Sequence, residues 1–141
     1  MKIVALTGGI ASGKSEVLKE AQSFQGVRTV QADALAKEIY NPGNPCFQQV
    51  LDLLGTRILN EDGSVDLKKV SDIVFFDPTM LEELEKISHP YVKGRLEGLV
   101  DSYEKEGIDL TMIEIPLLFQ SSGEDFNIFD KVILLEVPEE E

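Results

Sequence analysis

Gly8-Gly9-Ile10-Ala11-Ser12-Gly13-Lys14-Ser15 fits the pattern G-x-x-x-x-G-K-[ST], which holds a polyphosphate. Each fixed residue type has a task. Gly8 lets the chain turn tightly out of a strand, and Gly13 removes a Cβ where backbone must curl around phosphate. Successive N–H groups then point inward, and the helix that follows adds the positive end of its dipole. Lys14 sets a point charge on the β- and γ-phosphates, and the Ser15 hydroxyl suits Mg²⁺. The motif implies ATP and Mg²⁺ as ligands.

Two carboxylates and one imidazole stand out further along. Asp33 follows a short strand-like run; it either accepts a proton from a hydroxyl nucleophile or caps the helix it precedes. Glu114 ends another such run, Met112-Ile113-Glu114-Ile115-Pro116. It either orients a magnesium-bound water or is a solvated strand-end carboxylate. His89 precedes Pro90, where a helix is expected to start; it is either a substrate contact or a helix-start residue with local hydrogen bonds. With one histidine and one cysteine, Cys46, neither a cysteine-based metal site nor a disulfide framework can be built within the chain.

These residues need elements to position them. Lys2–Leu6 (KIVAL) reads as a buried parallel strand running into the glycines. Val17, Leu18, Ala21 and Phe24 recur at helical spacing until Gly26. Arg28–Ala32 reads as a second strand and Ala34–Tyr40 as a second helix, which Asn41-Pro42-Gly43-Asn44-Pro45 ends. Four helical stripes follow: Phe47/Val50/Leu51/Leu54, Leu67/Val70/Val74, Leu81/Leu84/Ile87 and Val92/Leu96/Leu99/Tyr103. Leu110–Ile115 and Lys131–Val137 are the closing strands. Strands alternating with helices predict an α/β fold with a parallel sheet. The expected organisation is one domain over 1–141. Its nucleotide-binding core is 1–41 and 108–141, and residues 42–107 form a helical substrate-binding insertion. In such a sheet ligands lie beyond the C-terminal strand ends, where the glycine loop, Asp33 and Glu114 all fall.

Composition narrows the partners. Acidic residues outnumber basic ones 26 to 13, a formal net charge of −13, so general binding to nucleic acid is disfavoured. No apolar run approaches a membrane span and no signal peptide opens the chain, so a cytoplasmic location is the expectation.

Ile3-Val4-Ala5-Leu6-Thr7-Gly8-Gly9-Ile10, leading into Ser12-Gly13-Lys14-Ser15, resembles the opening of the dephospho-coenzyme A kinase family. Ala32-Asp33 with Ala36, Pro42-Gly43, His89-Pro90 and Ile115-Pro116-Leu117-Leu118-Phe119 agree in order and spacing. The resemblance implies a P-loop nucleoside triphosphate hydrolase-like three-layer α/β/α fold. It also implies transfer of the ATP γ-phosphate to the 3′-hydroxyl of dephospho-coenzyme A, the last step of coenzyme A synthesis. Carried over, Ala11 to Glu16 line the ATP phosphates, Asp33 is the base, and His89 and the Pro116–Phe119 loop, Leu117 included, approach the acceptor. Gln31, Ala11, Glu16 and Gln120 depart from the family's usual residues. Ala11 and Glu16 supply no required side chain, whereas Gln31 and Gln120 bear on substrate or metal contacts. The family continues into an arginine-bearing lid and a final strand, which the resemblance leaves beyond Glu141. Two other readings stand beside the kinase: a nucleotide-binding module without useful catalysis, and a P-loop kinase of another small acceptor such as a nucleoside monophosphate. A GTPase is disfavoured because no Asn-Lys-x-Asp motif is present.

Overall fold

A computed structural model describes residues 1–8, 14–115 and 129–135. Strand β1 (Lys2–Gly8) leads to helix α1 (Lys14–Gln22), then β2 (Val27–Gln31) and α2 (Ala32–Ala36), which tightens into a 3-10 turn at Lys37–Tyr40. Helices α3 (Phe47–Leu54), α4 (Leu67–Phe75) and α5 (Pro78–Glu106) follow, with a 3-10 turn at Thr56–Ile58. Strands β3 (Leu110–Glu114) and β4 (Lys131–Leu135) complete the order. The chain divides into two compact units, residues 1–33 with 93–141, and residues 34–92.

The first unit is built on a four-stranded sheet in the order β2-β3-β1-β4, with every neighbouring pair parallel. β1 is central and almost wholly buried, as its unbroken apolar run requires. The N-terminal ends of the strands are tied together by hydrogen bonds. Lys2 donates to the Asp109 carbonyl at 3.0 Å, and Asp109 and Leu110 both donate to the Gly26 carbonyl at 2.9 and 3.2 Å. Asp130 joins β4 to β1 twice: its N–H donates to the Ile3 carbonyl, and its carboxylate accepts from the Ile3 N–H, both at 2.7 Å.

Gly26 makes the turn between α1 and β2 with φ +81°, a left-handed conformation that costs an L side chain about 1–2 kcal/mol. A Cβ added there would stand 2.7 Å from the Asp109 carboxylate. Gly26→Ala should therefore lower unfolding stability by about 1–2 kcal/mol, read as a shifted denaturant midpoint with an unchanged m-value.

The second unit has its own core of Ile39, Val50, Leu54, Ile58, Val70 and Leu84, contributed by the 3-10 turns and all three helices. Asp66 caps α4, its side chain accepting from the Lys68 N–H at 3.0 Å. Between the second 3-10 turn and α4 lies a tight turn. In it the Asn60 N–H donates to the Ser64 carbonyl at 2.7 Å and Leu59 pairs antiparallel with Val65.

One element departs from the sequence expectation. His89-Pro90 does not start a helix; it lies inside α5, a continuous helix of 29 residues. Proline removes one intrahelical donor, the one that would serve the Lys86 carbonyl. Leu84 before it and Val92 and Leu96 after it are buried, so packing holds the helix through the lost bond.

Candidate functional site

The register of the sheet sets the site. Leu6 and Gln31 both pair with Glu114, so β1, β3 and β2 reach the same level at their C-terminal ends. Beyond that level the three chains leave the sheet together. β1 runs through Thr7 to Gly8, Ile115 follows β3 with its N–H donating to the Leu6 carbonyl at 2.9 Å, and Ala32-Asp33 follow β2. Gly8, Asp33 and Glu114 thus sit at one edge, all in the first unit.

Their surroundings differ. Ala32 is fully buried, whereas Asp33 is exposed in the first turn of α2, whose first residue is Ala32. The helix starts before Asp33, so the cap position for Ala34–Tyr40 that the sequence allowed is not the one it occupies. A carboxylate in the first turn still complements the helix dipole. Glu114 is half-buried. Thr7, immediately before the glycines, is 1% exposed, and its hydroxyl has no hydrogen-bond partner among the described residues. Lys14 and Ser15 open α1, with Glu16 in its first turn. Gly9, Ala11, Ser12, Gly13, Pro116 and Leu117 lie outside the described residues, as does Gln120.

His89 belongs to the second unit and is 2% exposed within α5. In that unit Tyr91 Oη donates to Glu38 Oε1 at 2.5 Å and accepts from Asn44 Nδ2 at 3.1 Å. The Cys46 N–H donates to Asn44 Oδ1 at 2.8 Å. These contacts tie the 3-10 turn and the loop after it to α5 across up to 53 residues of chain, which no local pattern announces. Burial pushes the Cys46 thiol up, which favours its protonated form.

The oxygen groups described at the edge are the carboxylates of Asp33 and Glu114. Oxygen ligands suit a hard cation such as magnesium. Among the described residues no three His, Cys, Asp or Glu side chains converge as a metal cage.

The family model described as dephospho-CoA kinase matches residues 2–141. The chain belongs to the dephospho-CoA kinase family. The dephospho-CoA kinase of Carboxydothermus hydrogenoformans is 39% identical over 141 residues, all of this chain and 67% of that protein. That of Bacillus licheniformis is 39% identical over 140 residues, 98% of this chain and 67% of its own. The solved structure of the dephospho-CoA kinase from Campylobacter jejuni superposes with a TM-score of 0.75 at 28% identity. The match covers 99% of this chain and 69% of that one. The chain therefore has the P-loop fold of these kinases and spans about two thirds of the length of the relatives it matches. Among the described residues no helix is long and apolar enough to cross a membrane.

Proposed function

We propose that this chain forms the phosphoryl-transfer core of a dephospho-CoA kinase, moving the γ-phosphate of ATP to the ribose 3′-hydroxyl of dephospho-coenzyme A. The observation that carries the reading is the common level of the strand ends before the glycine loop, Asp33 and Glu114, in a chain of this family. Gly8, Gly9, Ala11, Ser12, Gly13, Lys14, Ser15 and Glu16 supply the phosphate cradle, with backbone N–H groups and the Lys14 ammonium facing the phosphate oxygens. Asp33 takes the proton of the acceptor hydroxyl as that oxygen bonds to the γ-phosphorus. The bond from the γ-phosphorus to the bridging oxygen breaks, and ADP leaves with the electron pair. Ser15 and Glu114 are the residues that would hold magnesium, which when bound would neutralise charge on the phosphate oxygens. His89, Pro116 and Leu117 serve the acceptor side. A lone cysteine and no disulfide suit a reducing compartment, and we place the reaction in the cytoplasm.

A panel of acceptors tests this reading. ADP should form from ATP and Mg²⁺ with dephospho-coenzyme A and not with nucleoside monophosphates. A preference for a nucleoside monophosphate would move the chain to another small-molecule kinase activity. Glu114→Gln should raise the Mg²⁺ concentration for half-maximal rate several-fold with little change at saturating Mg²⁺. An unchanged titration would return Glu114 to a solvated strand-end carboxylate.

A further inference from the structure

One face of the second unit leaves large apolar side chains in water. Phe75, the last residue of α4, is 78% exposed, and Phe76, which follows it, is 81% exposed. Their rings meet edge to face at 4.9 Å. Leu67, at the other end of the helix, is 42% exposed. Leu67, Ser71 and Phe75 recur every four residues, so they form one stripe along α4, while Val70 faces the core. Beside the stripe lies a groove of about 410 Å³ lined by Ser71, Val74, Phe75, Pro78 and Leu81. Of these side chains only Ser71 is polar. A small-molecule site needs several convergent polar groups, so the groove suits an apolar side chain better than a metabolite.

The aromatic pair and the groove adjoin on one surface, as an isologous contact requires: each copy can offer its rings to the groove of the other. The charges are self-complementary too. Residues 67–78 carry Lys68, Lys69, Asp72 and Asp77, so this face is locally neutral in a chain of net charge −13, and repulsion between copies is weakest here. Lys68 and Asp72 are both exposed, four residues apart on α4 beside the stripe. Two α4 helices packed antiparallel about a two-fold between Val70 and Ser71 bring Lys68 of each copy level with Asp72 of the other, and Leu67 level with Phe75, to within about 1.5 Å along the axis. A phenylalanine buries about 150–250 Å², so Phe75 and Phe76 offer about 300 Å² per copy and about 600 Å² across the two-fold. With Leu67, Val74, Pro78 and Leu81 the contact approaches the about 1,000 Å² of a specific interface.

We infer that α4 and the start of α5 form a two-fold self-association face, with Phe75 and Phe76 of each copy seated against the groove of the other. The inference is independent of the proposed reaction. Sedimentation equilibrium of the chain over about 1–500 µM tests it, with a reversible dimer of Kd about 10–100 µM expected for so small an interface. Phe75→Ser combined with Phe76→Ser should raise that Kd about 10-fold or more. Both positions are exposed, so circular dichroism and thermal midpoint should stay at parental values. Lys68→Glu alone should weaken the dimer about 3-fold or more, because it sets like charges together twice, and adding Asp72→Lys should restore it. Both reversals suit the dipole of α4, acid in its first turn and base towards its last, so lost association would not be a lost helix. A chain monomeric throughout the range overturns the inference and leaves the face to a partner of another kind. A dimer that the phenylalanine variant leaves intact overturns it too, as does a Lys68→Glu defect that Asp72→Lys does not restore.

Discussion

Asp33→Asn should cut turnover of dephospho-coenzyme A by about 10²–10⁴-fold while ATP affinity stays nearly unchanged. The asymmetry follows from what the substitution removes. Asparagine keeps the size and polarity of the side chain but cannot take a proton from the attacking hydroxyl. Asp33 is exposed at the start of α2, beyond the end of β2 and outside the buried core, and asparagine is nearly isosteric with it, so the fold should be retained. The phosphate cradle belongs to a different segment, between β1 and α1. Steady-state kinetics with a separate ATP titration reads both quantities. A variant of normal rate would leave Asp33 with only the electrostatic role of a first-turn carboxylate, worth about 0.3–1 kcal/mol of helix stability.

Leu54→Ala should destabilise the second unit by about 2–5 kcal/mol. Leu54 is 2% exposed and packs with Ile39, Val50, Ile58, Val70 and Leu84, so truncation removes apolar burial and leaves a cavity that neighbours fill only partly. Against the about 5–15 kcal/mol of a whole domain that is a large fraction. Urea unfolding followed by circular dichroism measures the change. A loss below about 1 kcal/mol would contradict the tight core that the burial implies.

The fold was largely legible because its signals are local. KIVAL and LTMIE read as strands from their β-branched and apolar runs, and the glycine loop fixed where β1 had to end. The parallel architecture followed from strand–helix alternation. The level shared by Leu6, Glu114 and Gln31 is a matter of register, which no single segment encodes; the sequence could say only that all three strand ends lie at one edge of the sheet. The helical stripes were read correctly, but the last two belong to one helix. Leu84, Ser88, Val92 and Leu96 continue one buried stripe straight through His89-Pro90. Proline was given its local meaning as a helix opener, and tertiary packing overrode it. The Glu38–Tyr91–Asn44 contacts join residues far apart in sequence and carry no periodic signature.

The most direct measurement of the central claim is the fate of the γ-phosphate. The chain is incubated with γ-labelled ATP, Mg²⁺ and dephospho-coenzyme A, and the product is resolved by chromatography and phosphorus NMR. The account predicts one equivalent of ADP per labelled coenzyme A, with the label on the ribose 3′-oxygen, and loss of that product with Asp33→Asn and Lys14→Ala. ATP bound but no label reaching the 3′-oxygen, or label reaching it equally with Asp33→Asn, would contradict it.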